Sequence, residues 1–337
     1  MTMEEEGPDV VIYIGFGVAI SFVLYVLRQW IKGKQFTEKV SAKGKVAIVT
    51  GASSGIGRQL VRELNLRYVK VYMMCRSVEK GRQTARDLAG RYGCHPDRMI
   101  VMEGDLTSFE SIRKFVKEFD KEEEKLDVLI NNAGVMFHPK FEKTVDGHEL
   151  TWQSNYLGHF LLTELLLPKL EKCPDGGRIV NVSSELHKKA DTVDMDVCND
   201  KKKFDRWIKT YARSKLANVM HAVALTKRIR SKDSASKISV NSCHPGVVNT
   251  DLVPIPLYRN VIKKIFLPLI WFIMKTEQDG AQTPLYLALS KKVNGISGKY
   301  FSESELASAH DFAQDENACE VLYNSSVEAC QLDQSRY

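Results

Sequence analysis

Tyr211 and Lys215 stand four residues apart in the run Tyr-Ala-Arg-Ser-Lys, a spacing that puts both side chains on one face of a helix. A free phenol titrates at about 10, too high for efficient proton transfer at neutral pH, and a neighbouring ammonium favours the phenolate and lowers that value. Such a tyrosine can give a proton to a carbonyl oxygen, or take one from an alcohol, while hydride moves at the adjoining carbon. Ser183 and Ser184 close the apolar run that starts at Arg178, and a serine hydroxyl there can bond the same oxygen. Asn155, within Trp152-Gln-Ser-Asn-Tyr-Leu-Gly-His159, can link the lysine to solvent through water. Standing alone, a surface tyrosine and lysine one turn apart would explain the pair equally well. The chemistry needs a hydride carrier beside it.

A place for that carrier lies earlier in the chain. Val46 to Val49 is a short β-branched run suited to a strand buried on both faces of a parallel sheet. Thr50-Gly51-Ala-Ser53-Ser54-Gly55-Ile56-Gly57 follows, and a helical pattern then runs from near Arg58 through Leu60, Val61 and Leu64. A strand that turns through glycines into a helix N-terminus makes an anion site, because bare N–H groups and the positive end of the helix dipole face a pyrophosphate. The spacing here is G-x-x-x-G-x-G, not the common G-x-G-x-x-G, and a plain tight connection is the alternative. After the next strand, Cys75-Arg76-Ser77 puts an arginine beside the place where an NAD-binding chain carries a ribose-binding carboxylate. Its planar fork of donors suits a 2′-phosphate, with Lys80 as helper, so NADP(H) is expected over NAD(H). The bland alternative is a solvated surface arginine. Asp105 and Leu106 follow the third strand and can place a carboxylate by the adenine amine. Asn131-Asn132-Ala133-Gly134 follows the fourth, small and polar enough to let backbone lie against a flat cofactor.

These residues need a scaffold that brings strand ends together. Short apolar runs alternate with amphipathic segments from Val46 onward, the pattern of βαβ units in a doubly wound parallel sheet of the α/β class. Strands are expected near 46–50, 70–74, 99–103, 128–131, 178–183, 238–244 and 298–301. Helices are expected near 56–67, 78–92, 108–124, 147–170, 206–230 and 277–290. Ligands of such sheets bind beyond the carboxyl ends of the strands, where the residues above fall.

Charge and cysteine usage narrow the class. The chain has 337 residues and a net charge of +6, but acids gather in residues 1–9 and six Lys or Arg lie between Arg28 and Lys45. The remainder is too dilute for a nucleic-acid footprint. Seven scattered cysteines without a C-x-x-C read as free thiols in a reducing compartment, and the eight histidines show no ligand spacing, so no metal is expected. Val10 to Leu27 is uncharged over about 27 Å of helix, roughly one hydrocarbon core. A cleaved signal peptide is the competing reading, but its leading residues should be basic and these are acidic. Arg28, Lys32, Lys34, Lys39, Lys43 and Lys45 then place the rest of the chain in the cytosol by the positive-inside rule, where the sequons at Asn181 and Asn324 would go unmodified.

Taken in order, Thr50-Gly51-x-x-x-Gly55-x-Gly57, Asn131-Asn132-Ala133-Gly134, Asn155, Ser184, Tyr211-x-x-x-Lys215 and Pro245-Gly246 resemble the motifs of the classical short-chain dehydrogenase/reductase family. The resemblance covers roughly residues 44–302 and implies a Rossmann-type sheet in a single catalytic domain behind an N-terminal transmembrane helix. It implies pyrophosphate binding by Thr50, Gly51, Ser53, Ser54, Gly55, Ile56 and Gly57. Arg76, Asp105, Leu106, Asn132, Ala133 and Gly134 would support the adenosine half. Asn155, Ser184, Tyr211 and Lys215 would form a catalytic tetrad in which the lysine also holds the nicotinamide ribose. His244-Pro245-Gly246-Val247-Val248-Asn249-Thr250 resembles the segment that fixes the carboxamide, with Val248 and Thr250 as contacts. Of the two serines, Ser184 fits the family's place better.

Within the family, the anchor, Cys75-Arg76-Ser77 and Tyr211-Ala-Arg-Ser-Lys215-Leu-Ala-Asn218 look most like the microsomal retinol dehydrogenases, whose relatives act on retinoids, sterols and lipid aldehydes or ketones. Residues 185–205 form a longer Lys/Asp-rich insertion than compact members carry. The substrate loop, Leu252 to Lys275, holds a ten-residue apolar run at 265–274, too short to span a bilayer and expected as a lid that touches the headgroup boundary, with an ordinary lid helix over the site as the alternative. The reading is an acidic tail (1–9), a transmembrane anchor (10–31), a basic linker (32–44), a dehydrogenase domain (45–303) and a C-terminal tail (304–337). Its partners would be a lipophilic small-molecule substrate, an endoplasmic-reticulum membrane and further copies in a homo-oligomer. The alternatives are a catalytically silent NADP(H)-binding scaffold or sensor, which has no need of the complete tetrad, and a lipid-surface module, which leaves the glycine turn unexplained.

Overall fold

Each segment expected as a strand is one. β1 (Val46–Thr50), β2 (Lys70–Cys75), β3 (Met99–Glu103), β4 (Val128–Asn131), β5 (Arg178–Val182), β6 (Ser239–Cys243) and β7 (Tyr300–Ser302) are joined by a short β8 (Glu305–Leu306) in the computed structural model, which describes residues 8–136, 138–205, 208–248, 272 and 274–333. The sheet order is β3-β2-β1-β4-β5-β6-β7-β8, parallel except for the β7–β8 pair. Every residue of β1 and β4 is buried, which is why their sequences are apolar without alternation. β1 pairs with β2 on one side and β4 on the other, so the winding reverses between them and a crevice opens at their carboxyl ends.

Helices α1 (Pro8–Lys32), α2 (Gly55–Leu66), α3 (Val78–Tyr92), α4 (Phe109–Glu122), α5 (Gly158–Glu171), α6 (Lys209–Lys232), α7 (Gln282–Leu289) and α8 (Glu316–Ala329) are the longer helices among the described residues. On one face of the sheet, Leu60, Val61 and Leu64 of α2 and Leu285 of α7 bury Ala47 and Val49. On the other, Phe115 of α4, Phe160 of α5, Leu216 of α6 and Tyr323 of α8 share a core with Ile48 and Leu129. Two layers of helix thus enclose one sheet, as the alternation of patterns implies.

Three elements differ from expectation. The helix expected over 147–170 is broken into a turn at Leu150–Trp152, a π-helical turn at Gln153–Leu157 and then α5. The helix expected over 277–290 splits at Ala281 into Glu277–Gly280 and α7. The segment after 304, expected as a tail, contains α8, whose Cys319, Leu322, Tyr323, Ser326 and Val327 are buried at helical spacing. The linker 32–44 is docked as well. Phe36 is buried, its N–H donates to Gln282 Oε1 at 2.9 Å, and its ring meets Tyr286 edge-on at 6.3 Å. By length and composition α1 is able to cross a membrane; 6% of its apolar window is buried.

Candidate active site

The crevice at the strand ends is a cleft of about 530 Å³. Thr50, Gly51, Ser53, Ser54, Gly55 and Ile56 line its floor and lead into α2. Gly51 has φ +65°, and a Cβ on it would come 2.9 Å from Ala133 Cα. Gly57 is not itself on the lining; a Cβ there would sit 2.2 Å from Gly51 O, so only glycine lets the turn fold back on itself. Ser54 occupies the N-cap without a side-chain bond to the helix, which leaves the first N–H groups of α2 available to an anion. A larger cavity of about 1260 Å³ lies by Gly176 and Lys237, at the amino ends of β5 and β6. Sheets of this winding bind ligands at the other end, and the motif residues gather there.

Arg76, Ser77 and Lys80 line the cleft beyond β2. Arg76 and Lys80 are exposed, and neither pairs with a carboxylate among the described residues. Ser77 caps α3 by accepting from Lys80 N. Asp105 and Leu106 border the same end, with Asp105 Oδ1 taken up by the backbone and hydroxyl of Thr107 at 2.9 and 2.7 Å. Asn132, Ala133 and Gly134 line the middle, where Asn132 Nδ2 donates to Thr50 O at 2.9 Å. The open helix end and the Cβ-free turn fit the pyrophosphate of a dinucleotide, with two unpaired cations at the same end of the cleft.

At the other end of the cleft stand Ser183, Tyr211, Lys215 and Pro245. The two serines separate by partner. Ser183 Oγ donates to Lys215 O at 2.7 Å, whereas Ser184, just off the lining, accepts from Leu186 N at 3.3 Å and stands by the Tyr211 phenol, whose titration its hydroxyl lowers. Lys215 Nζ donates to Val182 O at 2.9 Å and lies 5.6 Å from the centre of the Tyr211 ring. The expected lowering of the phenol by the ammonium is not what burial gives. Burial pushes Tyr211 up to about 12, with the Ser184 bond pulling the other way, and pushes Lys215 down to about 8. Loss of hydration favours the neutral form of both groups, and it is the largest influence on each.

Asn155 is fully buried in the π-helical turn, and its side chain is spent on protein partners. It accepts from Val135 N at 2.7 Å and donates to Val135 O and Ser214 Oγ at 2.9 and 3.0 Å. It therefore ties the loop after β4 to α6, and the described bonds include no direct one to Lys215. π-turns of this kind recur at functional sites because the extra residue re-aims a side chain. Gly246 has φ +85° and its N–H donates to His244 Nδ1 at 3.0 Å, while Val248 bridges to Lys275. Thr250 lies outside the described residues, as does the apolar run at 265–274 apart from Phe272 and Met274.

Sequence reasoning passed over His159. Its Nδ1 bonds Asn155 O at 2.9 Å and its Nε2 bonds Thr50 Oγ1 at 2.8 Å. Thr50 Oγ1 also accepts from Asn132 N and Ala133 N, both at 2.9 Å, so the hydroxyl hydrogen points to Nε2 and Nδ1 carries the proton. Burial pushes this imidazole down to about 3, which keeps it neutral. One buried ring thus couples the glycine turn, the Asn132–Gly134 loop and the π-turn. Its position one helical turn after Asn155 was the available signal.

A family model described as short chain dehydrogenase matches residues 45–255. Retinol dehydrogenase 11 of Mus musculus is 38% identical over 294 residues, 86% of this chain and 89% of that protein. Retinol dehydrogenase 14 of Homo sapiens is 39% identical over 297 residues, 84% and 85% of the two chains. A solved structure of an uncharacterised protein from Mycobacterium paratuberculosis superposes with a TM-score of 0.70 at 27% identity, covering 89% of this chain and 98% of that one. Glycine turn, switch-point cleft and these relatives agree: the chain belongs to the short-chain dehydrogenase/reductase family, as an oxidoreductase that binds a nicotinamide cofactor and is most like the retinol dehydrogenases.

Proposed function

We propose that this protein is a membrane-anchored NADP(H)-dependent oxidoreductase that interconverts a lipophilic alcohol with its aldehyde or ketone. The observation that carries the reading is the meeting of the Tyr211 phenol and the Lys215 ammonium, with Ser184 beside the phenol, at one end of the cleft whose other end presents Arg76 and Lys80. When bound, the nicotinamide supplies or accepts hydride at carbon. Tyr211 supplies the proton to the substrate oxygen, Ser184 orients that oxygen, and Lys215 holds ribose and positive charge beside the phenol. Asn155 acts by fixing the β4 loop against α6. At neutral pH a phenol pushed up to about 12 is protonated and a lysine near 8 is charged, the forms that carbonyl reduction needs. Arg76 and Lys80 favour the 2′-phosphate of NADP(H). The relatives' names, retinol dehydrogenases, support a lipophilic substrate of the retinoid kind, and sterols and lipid aldehydes share that apolar chemistry.

Helix α1 anchors the protein in this reading, in the endoplasmic reticulum with the catalytic domain toward the cytosol, since Lys32 ends it and Lys34, Lys39 and Lys43 follow. The test is NADPH oxidation by full-length protein in detergent against retinal, medium-chain aldehydes and ketosteroids, with Tyr211→Phe alongside. Turnover should fall on the order of 10³-fold in the variant while NADPH affinity changes little. Undiminished turnover would remove Tyr211 from its role, and tight NADPH binding with no turnover of any compound would put the silent scaffold in its place.

A further inference from the structure

From Ile12 to Leu27 every residue of α1 is exposed; the next, Arg28, is 6% exposed. Its Nη1 donates to the carbonyls of Phe272 and Met274 at 3.4 and 3.0 Å, and its Nη2 pairs with Asp279 at 3.4 Å. Asp279 is as deeply placed, 7% exposed, and does more than receive the arginine. Its Oδ2 accepts from the N–H and hydroxyl of Thr276 at 3.0 and 2.7 Å, closing a capping box on Glu277–Gly280. Its Oδ1 accepts from Gln35 Nε2 at 3.3 Å. A cation that only marked the end of an apolar helix would reach outward to water. Arg28 turns inward, to a carboxylate and two carbonyls that its planar fork can satisfy together.

The segment it grips borders the chemical end of the cleft. Lys275 N donates to Val247 O at 2.9 Å and Lys275 bridges to Val248 in parallel. The Lys275 stem lies over Gly246, where a Cβ would come 2.6 Å from its Cδ. Val248 in turn packs beside Gly280 and Ile56: a Cβ on Gly280 would be 2.6 Å from Val248 Cγ2 and 3.2 Å from Ile56 Cδ1. A continuous run of contacts therefore joins the base of α1 to the Pro245–Val248 segment and the glycine turn.

We propose that Arg28 is a positioning residue that fixes where α1 leaves the domain, at Met274–Asp279, and so holds the chemical end of the cleft beside the bilayer that contains α1. The inference rests on the reading of α1 as an anchor and of the substrate as lipophilic. Substrates dissolved in the bilayer then reach Tyr211 over a short path that depends on Arg28; water-soluble carbonyls do not use it.

The experiment takes full-length protein, Arg28→Ala and Arg28→Lys in phosphatidylcholine vesicles. Amide hydrogen exchange needs no turnover, and in Arg28→Ala it should rise about tenfold or more over 274–280 while β1 and β2 stay unchanged. Arg28→Lys, which keeps the charge without the fork, should fall between. Unchanged exchange at 274–280 overturns the proposal, as does a rise spread through β1 and β2, which reports general unfolding. Kinetics with NADPH then compare a long-chain aldehyde that partitions into the vesicles with a short soluble one. The KM of the long aldehyde should rise about fivefold or more in Arg28→Ala, with kcat for both and KM for the short one within about twofold. Equal changes for both aldehydes overturn the positioning role. Absence of turnover by the unmodified protein on either aldehyde would defeat the proposed function instead, and a localised exchange response would still support the Arg28 contact.

Discussion

In the proposed reading, the choice of cofactor turns on one guanidinium. Arg76 follows β2 at the rim, exposed and without a carboxylate partner among the described residues, so its charge is not already neutralised by the protein. Arg76→Asp replaces a fork that pairs with a 2′-phosphate by a carboxylate that repels it and can accept from a ribose hydroxyl. The ratio of kcat/KM for NADPH over NADH should fall on the order of 10²-fold, since like charges in contact cost several kcal/mol. Steady-state assays with both cofactors measure it, and an unchanged ratio would leave Arg76 as a solvated surface residue. In sequence only the family resemblance favoured Ser184 over Ser183, because adjacent strand-end residues differ only in direction. Ser183 turns to the α6 backbone and Ser184 to the phenol, a distinction made by the sheet.

At the scale of elements, α8 shows what a motif-led reading leaves out. Its buried positions 319, 322, 323, 326 and 327 have the spacing of an amphipathic helix, yet no functional residue drew notice to them. Tyr323 meets Phe160 edge-on at 5.1 Å, and Arg228 of α6 lies 4.0 Å over the Tyr323 ring. Leu322 is 3% exposed in the same core. Leu322→Ala should destabilise the protein by about 2–4 kcal/mol through lost burial and the cavity left behind. Urea denaturation measures it, and a loss below about 1 kcal/mol would show that the segment contributes little to the core. The π-turn at Gln153–Leu157 was beyond pattern reading, because every residue from Thr151 to Glu164 is buried and no one-sided apolar periodicity marks the register.

For the whole molecule, buried imidazoles make stability depend on pH. Burial pushes His159 down to about 3 and His187 down to about 4, both below the ordinary histidine range near 6.5. The neutral rings are accommodated and the charged ones are not, so the stabilisation is complete above about 6.5 and is lost as pH falls toward those values. At pH 5 each should cost about 2 kcal/mol relative to pH 7 or above. Lys215 acts in the same sense at higher pH, stability rising as pH passes from 8 toward the ordinary lysine value. Thermal unfolding at pH 7 and pH 5 checks the acid side: Tm should drop, and His159→Gln should shrink the drop. Equal Tm values at the two pH values would contradict the burial argument.

The sequence by itself determined the winding of the sheet, the glycine turn and the order of Asn155, Ser184, Tyr211 and Lys215, because each rests on local spacing: apolar runs, residues without Cβ, and a tyrosine and lysine one helical turn apart. Tertiary structure decided what depends on neighbours distant in the chain. Burial, a property of packing, set the Tyr211 and Lys215 titrations against the expectation drawn from their charges. Thr50 and Asn155 became partners of His159 only when β1 and the π-turn met. Arg28 read as the first of six basic residues after an apolar helix, and the fold alone brought Asp279, 251 positions away, to its guanidinium.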